Sequence, residues 1–113
     1  MTFRCWQLAV KCEQATPEAQ HEMLHEAWEA IGPSMRPSPD RAGRFGNMMD
    51  AAAYESAAIE LMPAGWRIDF LRQDLPEKPT VKVDLTSGPH EARGKGSTVA
   101  LAIAAASLRA WTV

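Results

Sequence analysis

What is scarce in this chain narrows it before any motif is read. Among 113 residues there are two cysteines, three histidines and one tyrosine. Cys5 and Cys12 fall in a segment that reads as one helix. That sets them about 10 Å apart along its axis, too far for a disulfide. Both are expected to be reduced packing residues, and no partner ligands sit nearby to make a two-cysteine metal site. Long apolar runs are missing too: none approaches the ~20 residues needed to span a bilayer. The start "MTFRCWQLAVKC" lacks the extended apolar core of a signal peptide, so an intracellular protein that does not enter the membrane is expected. Neither sign of charge dominates. Twelve basic against 14 acidic residues leave a net charge of −2, with no general pull toward nucleic acid or an anionic membrane. No internal repeat is present. The length suits one domain, residues 1–113, with a single core and no room for a protease cleft with its own subdomains.

What is present reads as an α+β pattern. Phe3 to Ala15 suggests a short helix with Trp6, Ala9, Val10 and Glu13 at helical spacing. Thr16-Pro17 is a good N-cap and first-turn pair for a second helix over 17–31, and Gly32-Pro33 a good stop. On that helix Leu24, Ala27, Trp28 and Ile31 make the apolar stripe. Residues 32–46, "GPSMRPSPDRAGRFG", show no period and are expected to be a long loop. Asn47 and Asp50 resemble a capping box for a third helix over 48–62, closed by Pro63 and Gly65. The period then changes from 3.6 to 2. In "WRIDFLRQ", Trp66, Ile68 and Phe70 should face inward, as should Val81, Val83 and Leu85 in "TVKVDLTS". The short connector "DLPEK" makes these strands antiparallel, and "HEARGK" is a candidate third strand. The last segment, "TVALAIAAASLRAW", is a helix with Arg109 as its single charge. Being apolar almost all round, it must be buried, most simply across the sheet, with Leu101, Ile103 and Leu108 covering the strands. The expected architecture is a small antiparallel sheet of two to three strands layered with helices, an α/β/α sandwich in the order α-α-α-β-β-(β)-α.

Three stretches invite a functional reading. "HEMLH" spells the H-E-x-x-H signature, in which two histidines one helical turn apart share a zinc and the Glu acts as base. His21 and His25 could do so, but the extended pattern fails at Trp28 and Ile31, and no third ligand is singled out. A zinc hydrolase therefore lacks most of its site, and no cofactor is expected. "GPHEARGKGST" has the glycines, lysine and hydroxyls of a phosphate loop but not its spacing, because Gly96 stands where Ser or Thr should follow Lys95. A milder alternative is an anion- or nucleotide-binding module built from Arg93, Lys95, Ser97, Thr98 and the last helix's N-terminus. A last helix almost without charge does not suit direct nucleic-acid binding. The third stretch is the loop 32–46. Its Arg36, Arg41, Arg44 and Phe45 are of the types enriched at interface hot spots, and they are the expected partner-binding residues.

The chain also resembles a family of small phage and prophage proteins, the phage ABA sandwich domain. The resemblance rests on "CEQATPEAQHEMLHEAWEAIG", "DAAAYESAAIELMPAGWRI" and "GSTVALAIAAASLRAW". It implies a helix–sheet–helix layer fold and a phage or prophage origin, with the host-cell cytoplasm as the place of action. It brings no catalytic residues and no cofactor. Taken with the small size and the missing catalytic constellation, it leads to the expectation of a non-enzymatic interaction protein. Its partner would be a host or phage protein, and one role is anti-CRISPR-like inhibition of a host defence system.

Overall fold

The computed structural model describes residues 2–32, 39–74 and 80–112. Helix α1 spans Thr2–Gln14, a 3-10 turn Pro17–Ala19, α2 Gln20–Ile31, α3 Pro39–Asp50 and α4 Tyr54–Ile59. Strands β1 (Arg67–Asp74), β2 (Thr80–Ser87) and β3 (His90–Gly96) follow, and α5 (Val99–Ala110) closes the described chain. The fold class is α+β in the expected order. The three strands form one antiparallel sheet in the order β1-β2-β3.

The sheet is organised by alternation. Val81, Val83 and Leu85 of β2 pair with Gly96, Gly94 and Ala92 of β3, and all six are buried beneath α5. Between them, Lys82, Asp84, Glu91, Arg93 and Lys95 lie on the opposite face, which no helix covers among the described residues. Because α5 is apolar around its circumference, it needs cover on its other side as well. The first, second and fourth helices supply it. The layers therefore run sheet, α5, helices. Leu101, Ile103 and Leu108 are 0–1% exposed, as a middle layer requires.

Several sequence expectations are corrected by tertiary context. Thr16 makes no side-chain cap bond, Pro17–Ala19 is a 3-10 turn, and α2 proper starts at Gln20. On α1 the core takes Cys5, Leu8, Ala9 and Cys12, so Trp6 and Val10 lie on the exposed side. Residues 32–46 are not one loop, since α3 begins at Pro39. Residues 33–38, Arg36 among them, lie outside the described residues. Nor is 48–62 one helix. The end of α3 is closed by Ala53 N–H donating to Met48 O at 2.8 Å and Ala52 N–H to Met49 O at 3.1 Å. This is the Schellman pattern, and it places Ala52 at φ +56°, where glycine is normally found. An alanine there is strained by about 1 kcal/mol. Ala52→Gly is expected to stabilise the fold by roughly that amount, read as a rise in urea midpoint.

Phe70 is the other correction. β1 pairs Ile68 with Leu85 but Phe70 with Asp84, so Asp69 is an extra, bulged residue. One inserted residue exchanges the faces of everything after it. Phe70 moves to the helix-free face and is 45% exposed, while Leu71 turns to the α5 side and is 43% exposed. Trp66 and Ile68, ahead of the bulge, stay half-buried against the core. Phe70→Ala is therefore expected to change stability by less than about 1 kcal/mol, where a core phenylalanine would cost about 3–5 kcal/mol. A chemical melt separates the two outcomes.

Candidate interaction surface

Helix α1 has two apolar stripes. Cys5, Leu8, Ala9 and Cys12 recur at i, i+3, i+4 and i+7 and are buried. Phe3, Trp6 and Val10 recur at i, i+3 and i+7 on the other side and are 75, 47 and 41% exposed. Three of the four inner residues are small, which lets α1 pack closely on α5, and both of its aromatic side chains lie outward.

The Trp6 ring is held in place. The Arg109 guanidinium carbon stands 5.0 Å from the ring centroid, a cation–π distance. Arg109 is itself fixed by Glu13 through a forked pair, Nη1 to Oε2 at 2.6 Å and Nη2 to Oε1 at 2.8 Å. It also donates to the backbone carbonyl of Arg93 at 2.9 Å. Glu13 in turn accepts from the Lys95 backbone N–H at 3.1 Å. Burial pushes the Glu13 carboxyl up, but the bonds from Arg109 and Lys95 outweigh it and hold the group below the usual carboxylate range. The same pairing raises Arg109. This network ties α1, α5 and the outer edge of β3 together. Beside it lies an open groove of about 440 Å³ lined by Trp6, Glu91, Ala92, Arg93, Arg109 and Thr112.

Of the residues expected to bind a partner, Arg41, Arg44 and Phe45 make contacts within the fold, and Arg36 lies outside the described residues. Phe45 is 4% exposed and stacks on Trp28, centroids 4.4 Å apart at 11°. Arg41 donates to Glu60 at 3.1 Å and to the Met62 carbonyl, anchoring α3 to the end of α4. Arg44, half-exposed, donates to the same carboxylate at 2.9 Å. Hydrogen bonds from Arg44 and Arg41 hold Glu60 below its ordinary value. Reversing both arginines would thus disturb the seating of α3 as well as any surface.

The anion-binding candidates are brought together but are largely committed. Ser97 Oγ donates to Ala15 O at 2.9 Å, and Thr98 Oγ1 caps α5 by accepting from Leu101 N–H at 3.1 Å while bonding Gln20. Arg93 lies 3.6 Å from Asp84 and 3.5 Å from Glu91. The glycines of "RGKGS" have a packing role. A Cβ on Gly94 would sit 2.4 Å from Ala106 N and 2.5 Å from Ala102 O, and one on Gly96 2.9 Å from Ala102 N. They let α5 lie directly on β3, a reading the loop-like composition had hidden.

His21 and His25 are both exposed. His21 Nδ1 is 3.2 Å from the Tyr54 hydroxyl, with the rings edge-on at 5.7 Å. Among the described residues no group of three His, Cys, Asp or Glu side chains is placed to hold a metal. Cys5 and Cys12 are free and buried. Burial, with Glu26 and Glu13 nearby, pushes the Cys12 thiol up to about 12. Among the described residues no helix is long and apolar enough to cross a membrane. No known protein family matches the chain, and neither a curated protein nor a solved structure is similar to it.

Proposed function

We propose that this is a non-enzymatic interaction protein that docks on a partner protein through the outward face of α1. The observation that carries the reading is the exposed Phe3–Trp6–Val10 stripe, with its tryptophan held by the Glu13–Arg109 pair. A large aromatic fixed before contact loses little freedom on binding, which is the property of an interface anchor. The charge around the stripe selects the partner. Arg4 and Lys11 flank it on α1, the latter 3.6 Å from Glu26, and across the groove Arg93 stands between Asp84 and Glu91. The first turn of α1 has no acidic residue, and Glu13 is tied to Arg109. The surface suits an apolar groove rimmed by carboxylates. From the resemblance to phage sandwich proteins the reading takes its setting: a phage- or prophage-encoded protein acting on a host protein in the cytoplasm, with inhibition of a defence system as its role.

Trp6→Ala is expected to weaken capture of the partner from host lysate by at least about thirtyfold, the loss expected of an interface hot spot. The ring is half outside the core, so the melting transition should move little. Capture should also slow as salt is added, since the flanking charges are exposed. Unchanged capture by Trp6→Ala and by Phe3→Asp would sink the proposal. Binding to anionic vesicles, abolished by the same substitutions, would instead make α1 a membrane-surface helix.

A further inference from the structure

We propose that β1 pairs antiparallel with β1 of a second copy, across a two-fold axis at Leu71, joining two three-stranded sheets into one of six strands. The inference is independent of the α1 surface and begins with the sheet's two edges. The β3 edge is occupied, because Glu13 accepts the Lys95 N–H and Arg109 donates to the Arg93 carbonyl. Among the described residues the β1 edge faces no strand. An open edge presents a row of backbone donors and acceptors, and at the centre of this one, between Asp69 and Arg72, one apolar side chain lies on each face. Phe70 on the helix-free face is 45% exposed, and Leu71 on the α5 side is 43% exposed. The bulge that turned Phe70 out of the core therefore leaves a two-sided apolar segment on the free edge.

Symmetry and charge choose the register. A two-fold antiparallel pairing is isologous, so whatever residue i meets, its counterpart meets in return. The regular part of β1 runs from Phe70 to Asp74, since the register against β2 is unbroken there. Placing the axis at Arg72 would set two arginines directly opposite, which is destabilising. Placing it at Phe70 would set the bulged Asp69 directly beside the axis, opposite the partner's Leu71. With the axis at Leu71, the two leucines meet on the α5 side. Phe70 then meets the partner's Arg72 on the other face, an aromatic–cation contact made twice. The regular pairing spans Phe70 to Arg72 of each copy and ends at the bulge. Because β1 is used once by each copy and the β3 edges are occupied, assembly stops at two.

The test uses the full chain. Sedimentation at about 100 μM, a hundredfold above a micromolar dissociation constant, should give twice the 12.4 kDa chain mass. Leu71→Glu puts like charges on the axis and should weaken the dimer at least tenfold while leaving the circular-dichroism spectrum unchanged. Oxidative cross-linking reads the register directly. Leu71→Cys should link to itself, because opposed residues have Cα atoms about 4.5–5.5 Å apart, within disulfide range. Phe70→Cys should not, its copies lying about 8 Å apart in this register, but mixing it with Arg72→Cys should yield a heterodimer. The buried native thiols should not compete. A wild-type monomer at this concentration would overturn the proposal. So would a dimer that persists in Leu71→Glu, which would assign self-association to another surface, or self-linking by Phe70→Cys as efficient as that by Leu71→Cys.

Discussion

Gly94→Ala is expected to remove much of the stability of this fold, at least about 3 kcal/mol of the 5–15 kcal/mol typical of a domain. Adding one methyl group to a strand is ordinarily mild. Here the new carbon would stand 2.4 Å from Ala106 N and 2.5 Å from Ala102 O, and 3.0 Å from Ala106 Cα. All three are backbone atoms of α5, so no rotamer change relieves the clash and the whole helix must lift. Lifting it opens gaps along Leu101, Ile103 and Leu108, which are closely packed on both sides. Gly96→Ala should cost less, since its nearest contacts are at 2.9 Å and one of them is the side chain of Leu101. Urea melts should rank wild type above Gly96→Ala and Gly96→Ala above Gly94→Ala, with the m-value preserved. Equal stability of wild type and Gly94→Ala would mean that α5 does not lie on β3 as described.

Arg109→Met should cost about 3–5 kcal/mol at neutral pH, because it leaves the Glu13 carboxylate buried without its partner. The Glu13 side chain is 12% exposed and that of Arg109 16%, so solvent screens the pair little. The pH dependence gives the signature. In wild type Glu13 titrates below its ordinary value of 4.5. Its contribution to stability is therefore complete above that value and is lost as pH falls through the lower folded value. In Arg109→Met the largest remaining influence is burial, which raises the carboxyl instead. Protonation then relieves the variant, so its deficit relative to wild type should shrink on acidification from pH 7 to about pH 4. A deficit that stays constant would assign the loss to packing rather than to the ion pair. Trp6 should also lose its anchor, so the variant should bind the partner more weakly even under conditions where it is folded.

The sequence was most legible where one side chain pattern matched one environment. β2 alternates Val81, Val83 and Leu85 with Lys82 and Asp84, and α5 has no polar face, so both were placed correctly. It was least legible where small residues, not large ones, mark the buried face. On α1 the eye follows Trp6 and Val10, but the core takes Cys5, Leu8, Ala9 and Cys12, because α1 must approach α5 closely. Gly94 and Gly96, two apart on a strand, answer Ala102 and Ala106, one turn apart on a helix. That small-on-small match was readable but looked like a phosphate loop. Phe70 was misplaced by a one-residue bulge at Asp69, which nothing in the local composition announces. The arginine-rich segment was misread for a different reason. Its proline and glycine content argues against a helix, and α3 is held by contacts remote in sequence, Arg41 and Arg44 to Glu60 and Phe45 to Trp28. The exposed stripe of α1 was missed with it. Phe3, Trp6 and Val10 could be assigned to the outside only after the inner stripe of α1 was known.

The most direct measurement is site-specific photocross-linking in host lysate. Gln7 is exposed at the centre of the outward stripe, one turn from Phe3 and from Val10 and next to Trp6. A benzophenone side chain there should form a single adduct of defined mass, suppressed by adding Phe3→Asp to the same chain. The same probe at Arg44, exposed on α3, should form none. An adduct from position 44 and none from position 7 would contradict the account and return the interface to the arginine-bearing segment.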